Sequence, residues 1–204
     1  MNLLEGLTQE TLVARGLNWG PAPESWEPLD GAGIRVHVQP RVDYFQDPAG
    51  THVKDDAPYL WQYVTGDFVA QAHVRPTFTT TWDAGAIMVR HDARTWGKLC
   101  FESTDLGTTA AVSVVTSGLS DDANGANLTT PDVWLQIFRS GNVFGMHYAL
   151  EGKSWRMVRL FNLGMLPTVK IGLVAQCPAG PGTTVDFLSF AVESRTVQNA
   201  RAGI

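Results

Sequence analysis

The stretch VWLQIFRSGNVFGMHYAL, residues 133–150, decides the fold class. It contains two runs rich in apolar and aromatic residues, 133–139 and 143–150, on either side of Ser140-Gly141-Asn142. Residues that tolerate positive φ, placed between two such runs, are typical of a tight β-hairpin. The stretch therefore predicts two adjacent antiparallel strands, and the rest of the chain repeats the same pattern.

Short runs rich in Val, Phe, Tyr, Trp and Thr recur between turn signals after Gly16, with almost no helical periodicity between them. The clearest predicted strands are 34–39, 59–63, 67–75, 85–90, 97–103, 110–116, 133–140, 143–150, 155–161, 168–175 and 185–192, with shorter ones at 17–20 and 42–45. Parallel sheets need long crossover connections, which are absent, so antiparallel pairing is indicated.

About a dozen strands are too many for one flat sheet, and two packed sheets bury more apolar surface. The predicted fold is therefore all-β, a two-sheet antiparallel jelly-roll sandwich. Residues 3–14 have loose helical spacing, so residues 1–16 are predicted to form a short N-terminal helix or extension, and residues 17–204 the sandwich domain. Two polar segments, 51–58 and 117–131, are predicted to be loops, and the second could border a site.

Composition narrows the classes of partner. The 204 residues carry a net charge of -5 and show no basic cluster, which argues against nucleic acid and anionic membranes as partners. No run of 18 apolar residues is present, so no membrane span is predicted. Glu5 and Glu10 interrupt the segment where a signal peptide would be apolar, which favours a cytoplasmic location. Cys100 and Cys177 lie in strand-like runs and are predicted to be small buried apolar residues.

An ordered set of short motifs extends from about residue 17 to residue 193. It comprises Trp19, Pro23 and Trp26, then 43–45 (DYF), 57–58 (AP), 66–68 (GDF), 83–89 (DAGAIMV), 96–98 (WGK) with Glu102, 113–116 (SVVT), Trp134 with Arg139, 151–152 (EG) with Trp155 and Arg159, 172–178 (GLVAQCP), and Phe187 with Phe190. In this order the motifs resemble the domain-of-unknown-function family typified by the "regulation of enolase" protein. The resemblance implies a concanavalin-like sandwich and a regulatory role for that protein, but little chemistry. Ala149 departs from the serine usual in the family's turn.

The most informative candidate strand is 96–102, WGKLCFE. Alternation places Trp96, Lys98 and Glu102 on one face of the sheet and Leu99 and Phe101 on the other. If the apolar pair faces the other sheet, then the first three side chains line an outer, concave face. An indole, an ammonium and a carboxylate along one strand can bind a polyol or a carboxylated sugar. The competing interpretation is a Lys–Glu pair on a solvated sheet face.

Four further side chains complete the predicted ligand site: Arg139, His147, Trp155 and Arg159. They approach Glu102 only if their strands are neighbours of strand 96–102 in one sheet. Guanidinium groups recognise carboxylate and phosphate bidentately. The competing interpretation is that each arginine pairs with a surface carboxylate and that His147 is structural.

The sequence therefore favours a non-catalytic module that binds a small carbohydrate or a related polar metabolite. One alternative is a glycosidase-like hydrolase that uses Glu102, although no second carboxylate is evident in the sequence. Another is a protein-interaction domain that regulates a metabolic enzyme. No zinc motif, P-loop or dinucleotide fingerprint is present, so no metal and no cofactor are predicted.

Overall fold

Sixteen β-strands form most of the regular structure in the computed structural model, which describes all 204 residues. The strands are β1 (Asn18–Trp19), β2 (Ser25–Pro28), β3 (Ile34–Val38), β4 (Tyr44–Gln46), β5 (Val53–Asp55), β6 (Tyr59–Thr65), β7 (Phe68–Pro76), β8 (Ala84–Asp92), β9 (Thr95–Ser103), β10 (Thr109–Ser117), β11 (Leu119–Asn127), β12 (Val133–Ser140), β13 (Val143–Ala149), β14 (Arg156–Asn162), β15 (Thr168–Gln176) and β16 (Thr183–Glu193). The only helical turns are α1 (Gln9–Leu12) and a 3₁₀ turn over Val13–Arg15. The helix predicted over 3–14 is therefore much shorter than expected.

The strands form two seven-stranded sheets and one small hairpin. Sheet A has the order β1-β6-β15-β8-β9-β10-β11, and sheet B has the order β14-β13-β12-β7-β16-β3-β2. Every strand pair is antiparallel, and the hairpin predicted from residues 133–150 is β12–β13, with Ser140 opposite Val143. The prediction of an all-β, two-sheet antiparallel sandwich is confirmed.

Two segments predicted as loops are strands instead. Residues 119–127 form β11, the edge strand of sheet A, although most of its side chains are exposed. Residues 53–55 form β5, which pairs only with β4. Both segments are polar because they lie at exposed edges, and backbone hydrogen bonding to a neighbouring strand does not require apolar side chains. The hydrophobic pattern of the sequence therefore did not predict these two strands.

The two sheets pack face to face around one continuous hydrophobic core. Gly97 of β9 marks the inner face of sheet A, because a Cβ there would lie 3.0 Å from Cε of Met146 in sheet B. Leu99 and Phe101 share this face by alternation. Lys98 and Glu102 therefore point away from sheet B, onto the outer face of sheet A, as the sequence predicted.

The β4–β5 hairpin covers part of that outer face. Tyr44 of β4 packs edge-on against Tyr59 and Trp96, with ring centroids 6.1 and 6.3 Å away. Arg90 of β8 forms an ion pair with Asp55 of β5. The hairpin is thus held to sheet A by aromatic packing and by charge. The polar side chains beside it are consequently shielded from bulk water.

The N-terminal segment lies against sheet B. Leu4, Leu7 and Leu12 are buried in the common core, and the Leu3 N–H donates to the carbonyl of Phe190 in β16 at 2.7 Å. Cys100 and Cys177 are both buried and unbonded to each other, as predicted for small apolar residues. None of the helices has the length and apolar character required to cross a membrane.

Candidate functional site

A cavity of about 620 Å³ opens on the outer face of sheet A, beside the β4–β5 hairpin. Its floor comes from β9 and β15, one wall from residues 43–54, and the opposite wall from β10 and β11. Ten of its thirteen lining residues are not hydrophobic. The lining residues are Asp43, Phe45, His52, Lys54, Trp82, Lys98, Glu102, Asp105, Val114, Asp122, Asn124, Gln176 and Pro178.

Lys98 is the centre of the cavity floor and is 2% exposed. Its Nζ donates to Oδ1 of Asp43 at 2.8 Å and to Oε1 of Gln176 at 2.8 Å. Burial lowers the pKa of this ammonium, but the Asp43 carboxylate together with Cys100 and Glu102 outweighs that effect, so the net pKa lies above its usual range. Lys98 is therefore a charged group whose main partners belong to the protein itself.

Glu102 lies two positions further along the same face of β9 and is 6% exposed. Its only hydrogen bond is a long one, 3.4 Å, from Nε2 of Gln176 to Oε2. Its other oxygen, Oε1, has no protein partner, yet it is not sealed from solvent. Burial raises the pKa of Glu102 to about 8, and the Asp43 and Asp122 carboxylates add to the rise while Lys98 opposes it. Glu102 is thus a neutral carboxylic acid at neutral pH, open to the cavity.

Trp82 stands at the rim with an indole that is 45% exposed. Its backbone has φ 68, a left-handed conformation that is uncommon for a bulky residue. The buried carboxylate of Asp83 accepts hydrogen bonds from the backbone and hydroxyl groups of Thr79 and Thr80 and so braces this turn. Such conformations persist only where the surroundings over-determine them, and they cluster at binding sites.

The same turn is joined to the cavity floor. The Trp82 N–H donates to the carbonyl of Ser103 at 2.6 Å. The Trp82 carbonyl accepts from Nε2 of Gln176 at 3.0 Å. Gln176 therefore connects three groups, Lys98, Glu102 and the Trp82 backbone, and fixes the backbone of this turn relative to the cavity floor.

The far wall is formed by Asp122 and Asn124 of β11, which share one face of the strand by alternation. Asp122 lies opposite Val114, and Val114 lies opposite Lys98, so the three form one row across the sheet. Burial raises the pKa of Asp122, and the Asp43 carboxylate contributes in the same direction. This wall adds a carboxyl and an amide to the polar groups that face the cavity.

The structure brings together two of the seven predicted site residues, Lys98 and Glu102, in the cavity. Trp96 shares their face of β9 but is fully buried beneath Tyr44, so it does not line the cavity. The reason is the β4–β5 hairpin, which covers one end of the strand and leaves the other end open.

Arg139 and His147 belong to sheet B, so the assumption that placed them near Glu102 is wrong. Arg139 donates to the backbone carbonyls of residues 141, 165, 166 and 167 and holds the 163–167 segment in place. His147 faces away from sheet A and is fully buried under the C-terminal turn, against Gly203.

Arg159 and Trp155 are also outside the cavity. Arg159 of β14 forms an ion pair with Asp121 of β11 at 2.9 Å, across the adjacent edges of the two sheets. Trp155 immediately precedes β14 on sheet B. The prediction assumed that the strands of these four residues neighbour β9 in one sheet. Instead, β12, β13 and β14 form one end of sheet B, whereas β9 lies within sheet A.

The cavity residues that the predicted ligand site did not include come from separate parts of the chain. Asp43 and Gln176 lie within motifs that carry the family resemblance, and Asp122 and Asn124 show a two-residue period that would have been visible had 119–127 been recognised as a strand. Trp82 gave no sequence signal for its left-handed backbone. No group of three or more His, Cys, Asp or Glu side chains is placed to hold a metal ion.

Solved structures with the same architecture were found. A functionally unknown protein from Saccharomyces cerevisiae matches with a TM-score of 0.82 and 24% identity, covering 89% of this chain and 98% of that one. The GH43 BlXynB protein from Bacillus licheniformis matches at a TM-score of 0.69 and 12% identity over 95% of this chain, which spans only 39% of that larger chain. The carbohydrate binding module CBM66 from Bacillus subtilis matches at 0.56 and 14% identity, covering 88% and 96%. These likenesses show the fold.

Sequence comparison adds a family. The chain is 25% identical to "Regulation of enolase protein 1" of Saccharomyces cerevisiae over 162 residues, which covers 78% of this chain and 80% of that protein. The family model described as "Protein of unknown function (DUF1349)" matches residues 19–195, which include every element of the cavity. The chain therefore belongs to the DUF1349 family.

Proposed function

We propose that the protein is a binding module for a small carbohydrate or a related polyhydroxy metabolite, held in the cavity on the outer face of sheet A. One observation carries the proposal: an exposed indole on a braced turn and a buried carboxyl with a free oxygen line the same cavity. Sugars have apolar C–H faces and polar hydroxyl edges, so their binding requires both kinds of group.

The polar groups are suited to hydroxyl recognition. Glu102 offers a carboxyl oxygen without a protein partner, and Asp122 and Asn124 add a carboxyl and an amide from the opposite wall. A hydroxyl both donates and accepts, and these side chains supply both functions. The cavity of about 620 Å³ lies within the size range of small-molecule sites.

The indole of Trp82 supplies the apolar plane. Aromatic side chains bury large areas against apolar faces at little entropic cost when their position is already fixed. The hydrogen bonds of the Trp82 N–H and carbonyl hold its backbone in place before a ligand arrives, so the indole is carried on a rigid turn. The chain shares its fold, at 14% identity, with a carbohydrate binding module, and this shared fold supports the proposed class of ligand.

The first experiment is a thermal-shift screen against neutral monosaccharides and oligosaccharides, followed by calorimetric titration of each hit. A ligand at 100 times its Kd adds about 2.7 kcal/mol to stability, which raises Tm by roughly 5–10 °C for a domain of this size. Turnover of the same hits, followed by product analysis, separates binding from hydrolysis.

Two variants locate the site. Trp82→Ala is expected to weaken binding by about 10-fold or more, because the stacking plane is lost. The matched control is Tyr63→Ala, which removes another exposed aromatic side chain from sheet A but outside the cavity. Equal loss in both variants, or no hit in the whole screen, would overturn the proposal and leave a protein-partner search as the next step.

A further inference from the structure

The charges of the residues that line the cavity restrict the charge of the ligand it can bind, an inference that rests on the proposed function. Carboxyl groups outnumber ammonium groups, and no arginine is present. The four carboxyl side chains are Asp43, Glu102, Asp105 and Asp122, and the two ammonium side chains are Lys54 and Lys98. The guanidinium forks that recognise anions best are therefore absent from this site.

Both lysines are already paired within the protein. Lys98 is bound to Asp43 and Gln176 and is almost fully buried. Lys54 lies 3.5 Å from the Asp56 carboxylate and donates to the Arg41 carbonyl at 2.6 Å. The remaining basic side chain, His52, lies 3.7 Å from Asp47.

Two lining carboxyl groups have no such cationic partner. Asp105 and Asp122 take part in no salt bridge. The charges of Lys98 and Arg159 reach Asp122 only from beyond ion-pair distance. Arg159 forms its ion pair with Asp121. An anionic ligand would therefore meet two carboxyl groups that no cation pairs with directly. Bringing like charges together in such a site costs free energy.

Glu102 supports the same conclusion from the floor. Its Oε1 has no protein partner and opens to the cavity, so an uncharged ligand group can pair with it without adding charge. With the pKa near 8, the carboxyl keeps its proton in most molecules at neutral pH and is able to donate a hydrogen bond to a neutral oxygen. A ligand carboxylate would be a strong acceptor for that proton, but its charge would also face Asp43 and Asp122.

We infer that the cavity selects an uncharged polyhydroxy ligand over the carboxylate form of the same ligand, and that Glu102 donates a hydrogen bond to it as a neutral acid. A carboxylated sugar is therefore expected to bind more weakly than its neutral counterpart. The acidic walls of the cavity select against the negative charge, and Glu102 on the cavity floor donates the hydrogen bond.

The test compares matched pairs of probes at about neutral pH: glucose with glucuronate, and galactose with galacturonate. We expect the neutral member of a pair that binds to have at least about 10-fold higher affinity than its uronate. If a uronate binds as tightly as its neutral partner or more tightly, and Trp82→Ala abolishes that binding, the inference is overturned while the proposed site stands. Absence of binding by all four probes and by every neutral saccharide in the screen would overturn both.

A second experiment isolates Glu102. Raising the pH well above the pKa of about 8 ionises Glu102, so the affinity for the neutral probe is expected to fall by about 10-fold. Glu102→Gln keeps an uncharged donor in place, and its affinity is expected to stay constant over the same range. A pH-dependent loss of equal size in Glu102→Gln would assign the effect to another group and overturn the donor role.

Other titratable groups also face Glu102, and two of them are substituted to test the selection against charge. They are Lys98 and Cys100 on β9, Asp43 before β4, Asp105 after β9, and Asp122 on β11. The carboxyls Asp105 and Asp122 are replaced singly by Asn, and in each variant the uronate is expected to gain affinity relative to its neutral partner. Unchanged selectivity in both variants would contradict the assignment of selection to the acidic walls.

Discussion

Two clusters of mostly buried polar side chains lie on the outer faces of the two sheets, each next to a segment that is not part of those sheets. The cavity cluster consists of Asp43, Lys98, Glu102 and Gln176 on sheet A, beside the β4–β5 hairpin. The C-terminal cluster consists of Gln71, Gln136 and His147 on sheet B, beneath the turn at residues 199–203. The first of them borders the cavity of about 620 Å³.

The C-terminal cluster is filled by the chain itself. Gln71 donates to Gln136 at 2.7 Å, and Gln136 donates to the Gly203 carbonyl at 2.9 Å. The carbonyls of Ala200 and Arg201 approach the His147 ring without forming a well-aligned hydrogen bond to either nitrogen. Burial lowers the pKa of His147, which keeps the imidazole neutral. The segment above this cluster leaves no room for a ligand.

The comparison shows that a polar residue on the outer face of a strand has no fixed role. The segment that lies over such a residue decides whether it is structural or open to a ligand. The C-terminal turn covers His147, whereas the β4–β5 hairpin covers Trp96 and ends before Glu102. The following experiments test this distinction, in order of expected effect.

Lys98→Met tests whether the cavity cluster also holds the hairpin. The change leaves the Asp43 carboxylate without its ammonium partner, and breaking a buried ion pair in this way costs about 3–5 kcal/mol of unfolding free energy. The matched control, Lys54→Met, removes an exposed lysine paired with Asp56 and should cost about 1 kcal/mol or less. Urea denaturation measures both. Equal losses would show that Lys98 has no special structural role.

Gly203→Ala tests the fit of the C-terminal turn. A Cβ there would lie 2.9 Å from Gln136 Nε2 and 3.0 Å from His147, on a backbone with φ +70. We expect a loss of about 2–3 kcal/mol, of which about 1 kcal/mol reflects the left-handed backbone alone. Gly66→Ala, at φ +78 with open space around it, isolates the backbone contribution. A loss no greater than that of Gly66→Ala would mean that the cluster is loosely covered.

The pH dependence of stability tests the state of Glu102. The unfolded chain releases this proton near the ordinary glutamate pKa of 4.5, whereas the folded protein retains it up to about 8. Between these values the folded state binds more protons, so stability falls as the pH rises through the window and then levels off. Between about pH 6 and pH 7.5, which is part of this window, thermal unfolding should show a decline of about 2 kcal/mol that Glu102→Gln abolishes. A decline that persists in Glu102→Gln would exclude this carboxyl as its source.

Trp82→Ala is expected to have the smallest effect on stability. The side chain is exposed at 45%, so little buried area is lost, and we expect a change within about 1 kcal/mol. Denaturation of the variant beside wild type measures this. A larger loss would mean that the indole supports the turn at Thr79–Asp83 rather than standing free for a ligand.

Much of the fold was predictable because it depends on local pattern. The alternation along 133–150 and 96–102 identified paired strands and their two faces, and Lys98 and Glu102 were placed on the correct face. The polar edge strand β11 was missed, since exposed edges need no apolar residues. The partners Asp43 and Gln176 are 55 and 78 residues from Lys98 in sequence, a separation that no local pattern spans.

The sequence by itself determined the two-sheet architecture and the face of each strand, because side-chain alternation is a property of the extended backbone. The tertiary structure alone decided which outer-face residues meet. It assigned β9 to sheet A and β12, β13 and β14 to sheet B, and so separated Arg139, His147 and Arg159 from Glu102. Strand order and the covering segments are set by long-range packing, whose free energy sums over contacts that are distant in sequence.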